Sequence, residues 1–139
     1  MSALLATLLL LGYGLGLNVS NGQESDTEES DTEDRQPAEL ITEIRSLLNQ
    51  TMIEYQNKNF SGASALTEEA YLENYEFLEG PLAEQNETLM EETEVMLREQ
   101  LRDQVKGDDP NADVENLVKQ INSHLDEAEV LLANQTEDN

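Results

Sequence analysis

Residues 108–132 read DDPNADVENLVKQINSHLDEAEVLL, and this stretch decides the fold. Val114, Leu117, Val118, Ile121, Leu125, Ala128 and Leu132 recur at steps of three and four, so on a helix they share an arc of about 100°. A stripe of that kind has to be buried against another element. The spacing predicts an amphipathic helix, with an Asp N-cap at Asp109 and Pro110 at the first helical position.

Upstream, the same period recurs three times. A first helix is expected at about 37–58, with Leu40, Ile44, Leu47, Leu48, Thr51 and Tyr55 on one face, broken between Asn57 and Gly62. A second is expected at about 62–79 through Ala63, Leu66, Ala70 and Phe77, flanked by Tyr71 and Leu78 and ended by Gly80-Pro81. A third runs over about 82–106 through Leu82, Leu89, Met96, Leu97 and Leu101, and stops at Gly107. No segment sustains the two-residue alternation of a half-buried strand. The expected fold class is all-α, an antiparallel up-down four-helix bundle over 37–134 with a short tail at 135–139.

Composition excludes several functions. The 139 residues hold 31 acidic and 7 basic side chains, a net charge of −24. Nucleic acid is excluded as a partner, because binding phosphates takes clustered Lys and Arg. A polybasic membrane patch is excluded on the same ground. With no Cys there are no disulfides, thiolate metal sites or Cys nucleophiles. One His leaves little acid–base chemistry near neutral pH, so the chain is read as not an enzyme. The acid excess repels itself, and salt or divalent cations are expected to stabilise the body.

Residues 1–23 carry no charged side chain, and 3–17 (ALLATLLLLGYGLGL) form an apolar run. The run is shorter than the roughly 20 residues of a spanning helix and suits a secretory leader or short membrane anchor at 1–22. Ser20 and Gly22 supply small residues for cleavage before Gln23, although no Lys or Arg precedes the run. Membrane contact is expected only through this segment. Sequons at Asn18, Asn49, Asn59, Asn86 and Asn134 support export to an extracytoplasmic, secreted or surface-anchored place. Asn18 is lost if the leader is cleaved. The linker at 23–36 contains ESDTEESDTED at 24–34, seven carboxylates in eleven positions, and is expected to stay disordered as a spacer.

Candidate chemistry centres on the second helix. Glu69, Glu73 and Glu76 follow at i, i+4 and i+7, and Glu73, Glu76 and Glu79 form an E-x-x-E-x-x-E string around Tyr75. Carboxylates one turn apart can share a hard cation such as iron(III), calcium or manganese. A solvated acidic face is the alternative, and no His accompanies them on that helix. Glu84, Glu87, Glu91 and Glu94 lie aside from the third stripe, and Glu94 precedes Arg98 by four, the favourable order for a helical ion pair. His124 edges the last stripe and reads as packed or half-exposed. Asn74 falls within the second stripe and needs a partner if buried. Asn86 falls within the third, which makes it the weakest glycan site.

Read as a string, residues 47–132 resemble a known family. The run Tyr55-Gln-Asn-Lys-Asn-Phe60, then Ala70-Tyr71-Leu72-Glu73-Asn74-Tyr75-Glu76-Phe77-Leu78-Glu79, Gly80-Pro81-Leu82, Leu97-Arg98 and the closing Leu125 to Leu132 carry the likeness. They resemble the N-terminal extracytoplasmic helical domain of prokaryotic high-affinity iron permeases. The resemblance implies a helical domain outside the membrane, iron as the cation, and Glu76 and Glu79 at the family's Tyr-Glu-x-x-Glu positions. It also implies a membrane iron transporter as partner. The family's Arg-Glu-x-x-Glu motif is missing; Arg98-Glu99-Gln100-Leu101-Arg102 comes nearest, with Arg in the last place. Two functions are therefore expected in parallel. One is a non-catalytic accessory binding a hard cation (iron) for an uptake system. The other is a structural or interaction protein of the cell surface without a discrete metal site.

Overall fold

The computed structural model describes residues 35–110 and 112–134; the leader, nearly all of the acidic linker and the tail lie outside the described residues. Among the described residues every regular element is helical. These are α1 (Pro37–Gln56), α2 (Phe60–Ala70), α3 (Glu76–Val95), α4 (Arg102–Gln104) and α5 (Val114–Ala133). Two wider turns of π-helix join them end to end, Tyr71–Tyr75 between α2 and α3 and Met96–Leu101 between α3 and α4.

Local chemistry sets the ends. Pro37 opens α1, where its missing N–H has no helical partner to lose, and the Glu39 carboxylate accepts from the Gln36 N–H at 3.3 Å. After Gln56 the chain turns through Lys58 at φ 61°, and Asn59 caps α2 by accepting the Gly62 N–H at 3.1 Å. The break is therefore shorter than the Asn57–Gly62 stretch expected. The Tyr55 and Phe60 rings meet across it, 5.7 Å between centroids. At the far end Gly107 takes φ 78°, with Phe60 close against its backbone. Asp113, rather than Asp109, caps α5 by accepting the Asn116 N–H at 3.1 Å, so Pro110 lies in the preceding turn and not in the helix.

Gly80-Pro81 does not end a helix, contrary to expectation: both residues lie inside α3. An interior proline costs about 3 kcal/mol. Leu78 and Leu82 flank it one turn apart, both fully buried, and burial of each contributes about 1.5–3 kcal/mol. Packing carries the helix through. The break falls instead at Asn86, with φ −157° and ψ 90°. Its Oδ1 accepts the Leu89 N–H at 3.1 Å, a capping bond that restarts the helix, while Nδ2 reaches Glu127 of α5 at 3.4 Å.

The wide turns explain where the stripes depart from expectation. Phe77 is 37 % exposed, whereas Asn74, Tyr75 and Leu78 are buried in line with Ala63, Thr67 and Ala70. The turn at Tyr71–Tyr75 rotates everything after it. Along the next helical stretch Leu89, Thr93, Leu97, Leu101 and Val105 are all buried at a constant spacing of four. In a regular helix of 3.6 residues per turn, each such step drifts by about 40°. The wide turn at Met96–Leu101 takes that drift out.

Side-chain contacts give the register. Tyr75 Oη donates to the Met90 carbonyl at 2.9 Å and Tyr71 Oη reaches Glu94 at 3.5 Å, so these two stretches run in opposite directions. Asn86 meets Glu127, and Thr93 Oγ1 lies 3.0 Å from His124 Nδ1. Arg45 of α1 pairs with Asp126 at 2.6 Å and Glu129 at 3.1 Å on α5. Every apolar residue of the α5 stripe is buried, as expected, in one core with Ile41, Ile44, Leu48, Leu82 and Leu101. No helix among the described residues is long and apolar enough to cross a membrane.

Candidate functional site

The polar groups that converge lie between the two wide turns. Tyr71 and Tyr75 come from the first, Arg98 from the second, and Glu79 and Glu94 from the helical stretches beside them. π-Turns inside helices frequently mark functional positions, because they re-aim side chains that a regular helix would place elsewhere.

The Glu94 carboxylate is the hub. It accepts from Arg98 Nη1 at 2.8 Å, the expected i, i+4 pair, and the Tyr71 hydroxyl lies 3.5 Å from the same oxygen. The Arg98 guanidinium also sits 5.9 Å from the Tyr71 ring centroid. Glu79 is half-buried, and its Oε1 is shut from solvent with no hydrogen-bond partner. Burial pushes the Glu79 carboxyl above its usual 4.5; Tyr71 and Arg98 pull against that, and the charges of Glu94 and Glu76 add to it. The Tyr71 hydroxyl is pushed up to about 12, first by burial and then by the neighbouring carboxylates of Glu79 and Glu94. Tyr75, wholly buried, is raised further, again by burial first.

Of the four expected metal ligands, only Glu79 joins this cluster. Glu69, Glu73 and Glu76 stand exposed. The i, i+4, i+7 reading assumed an unbroken helix, and the turn at Tyr71–Tyr75 falls between Glu69 and Glu76. Among the described residues no three His, Cys, Asp or Glu side chains come together in a way that could hold a metal ion. Glu94, Tyr71 and Arg98 were not marked as site residues from sequence. The four-residue repeat of Leu89, Thr93, Leu97 and Leu101 is the signal that points to them, since it betrays the second wide turn.

Other expected positions have definite neighbours. Asn74 is buried and satisfied: its Oδ1 accepts from Arg35 at 2.9 Å and its Nδ2 donates to the Glu69 carbonyl at 3.2 Å. Among the glycan candidates, Asn49, Asn59 and Asn134 are exposed. Asn86 is half-buried, and its Nδ2, the atom that carries a glycan, faces Glu127. Beside the cluster, Tyr71, Leu72 and Leu97 floor a groove of about 160 Å³, lined also by Arg98, Arg102 and Glu68. The chain matches no family model, no curated protein and no solved structure.

Proposed function

We propose that the chain is an exported, non-catalytic helical-bundle protein of the cell surface that works by association, through acidic helical faces. The up-down four-helix arrangement of 37–134 belongs to this reading, supported by the break at Asn86 and the opposed directions of contacting stretches. The observation that carries the function is the placement of carboxylates. Glu69, Glu73 and Glu76 stand out in solvent and apart, as suits a surface that repels like charge and selects its partner. Charge reversals scattered over these faces are expected to weaken capture of a cell-surface partner as much as Glu76→Gln with Glu79→Gln. A loss confined to the latter pair points to a discrete site and overturns the reading. Export is tested by mass spectrometry of the native protein. Cleavage before Gln23 or a glycan at Asn49, Asn59 or Asn134 is expected, and an intact, unmodified N-terminus in a cytosolic fraction contradicts it.

A second reading, an accessory that binds a hard cation for an uptake system, has one specific support. Glu79 Oε1 is buried without a partner beside Glu94, and two carboxylate oxygens are the donors a hard cation prefers. The resemblance to iron permeases supplies iron as the metal and a membrane transporter as the partner. Titration calorimetry with excess magnesium tests it. Saturable iron binding lost on Glu79→Gln with Glu94→Gln supports the site; a diffuse, salt-suppressed response removes it.

A further inference from the structure

Arg35 grips the first wide turn and the helix that leaves it. Its Nη1 donates to Asn74 Oδ1 at 2.9 Å and its Nη2 to the Glu73 carbonyl, both within the turn. Beyond the turn its guanidinium lies over the Phe77 ring, 5.9 Å from the centroid. The turn is closed by the Glu76 N–H, which reaches back to the Tyr71 carbonyl, and is braced by Asn74 Nδ2 on the Glu69 carbonyl at 3.2 Å. We propose that Arg35 is the latch of a helix with two registers. Seated, it keeps the turn wide and Phe77 outside; withdrawn, the turn closes and Phe77 enters the core.

The sequence carries both registers. At 3.6 residues per turn, a regular helix continuing from Ala63, Thr67 and Ala70 brings Asn74, Phe77 and Pro81 inward. The wide turn moves the inward places one residue on, to Leu78 and Leu82, both fully buried. Phe77 then stands partly exposed beneath the guanidinium. Closing the turn exchanges Leu78 and Leu82 for Phe77 and Pro81. That is an apolar pair of similar bulk, the kind of exchange a core tolerates.

Two joints give the exchange room. The stretch 76–85 lies between the wide turn and Asn86, whose φ of −157° and ψ of 90° are not helical. One residue of helix is a rotation of about 100° and a slide of about 1.5 Å. Asn86 takes up that movement, and the face from Leu89 onward keeps its place.

The two registers are set against each other by named groups. Arg35's two hydrogen bonds and the Tyr75–Met90 bond at 2.9 Å hold the wide turn. Arg35 Nε and Glu79 Oε1 oppose it, since both are shut from water without a hydrogen-bond partner. In the closed register Glu79 turns out to solvent and leaves Tyr71 and Glu94. Arg35 therefore governs, from the edge of the fold, whether that cluster is assembled.

The chain has two phenylalanines, so the full chain labelled with fluorophenylalanine gives two fluorine signals, with Phe60 as internal control. A soluble nitroxide should broaden the Phe77 signal of the wild type. In Arg35→Gln that broadening is expected to fall at least twofold, with Phe60 unchanged. Arg35→Lys keeps the charge but loses the forked grip, and should fall between the two. If Arg35 only covers the ring, its loss increases the broadening; that opposite sign, or no change, overturns the proposal. Deleting Leu72 removes the surplus residue, so a regular helix already turns Leu78 inward. In that background Arg35→Gln should leave Phe77 exposed, and burial of Phe77 in both backgrounds overturns the proposal. Loss of the helical circular dichroism spectrum in Arg35→Gln or in the deletion overturns it as well, because each requires a folded alternative.

Discussion

The hydroxyl of Tyr75 donates to the main-chain carbonyl of Met90 across 2.9 Å, from inside a fully buried ring position. It ties the first wide turn to the helical stretch leading into the second. Because the ring has no contact with water, its single polar atom depends wholly on that bond.

Tyr75→Phe keeps the ring and removes the bond, leaving the Met90 carbonyl without this donor. The expected cost is about 1–2 kcal/mol. In a urea titration this is a lower midpoint at unchanged slope. Tyr71→Phe, at a half-buried ring with a long contact, should cost less than Tyr75→Phe in the same assay.

Gly80→Ala is expected to stabilise the protein by about 0.5–1 kcal/mol, because Gly80 is helical and a Cβ there meets open space. A turn at Gly80-Pro81, the sequence expectation, would make the same substitution neutral or harmful. Thermal unfolding distinguishes the two by the sign of the shift alone.

Asn86→Ala removes the cap on Leu89 and should cost about 1 kcal/mol. Asn86→Asp keeps the acceptor but sets a second carboxylate against Glu127. That variant should be weaker than wild type at neutral pH and recover as the solution is acidified through the carboxylate range. Chemical denaturation at the two pH values checks it.

Glu79 is the group whose titration opposes folding. Its folded carboxyl holds a proton at pH values where the unfolded one, near 4.5, has released it. Between those two values the folded state binds more protons, so stability falls as pH rises through the window. Glu79→Gln should therefore raise the melting temperature at neutral pH and flatten the decline above pH 4.5. Equal melting curves for the two proteins across pH 4 to 8 would remove Glu79 from the account.

The α5 stripe was legible residue by residue, from Val114 to Leu132, because it lies on one regular helix bounded by polar turns. The Glu94–Arg98 pair was legible as well, because the i, i+4 contact persists even though Arg98 lies in the wide turn Met96–Leu101. Phe77 and Glu73 were misplaced because a pattern of 3.6 cannot be projected through a turn of different width. Gly80-Pro81 was read as a stop because propensity is local, whereas Leu78 and Leu82 decide the matter through contacts from distant parts of the chain. Asn86 gave no strong signal as a break, since its capping role depends on a backbone shape that only the packed helices impose. The cluster of Tyr71, Glu79 and Glu94 is non-local in the same way.

A wide turn holds one residue more than the helix around it needs. Tyr71–Tyr75 and Met96–Leu101 thus mark places where a single-residue insertion is absorbed in mid-helix without displacing the buried face that follows. A cousin of this chain lacking either turn would align with it only through a one-residue gap inside a helix, where gaps are least expected. Ancestry in such bundles is better traced by superposing inward faces, the one bearing Ala63 and Leu82 and the one bearing Leu89 and Val105, than by pairing letters along the chain.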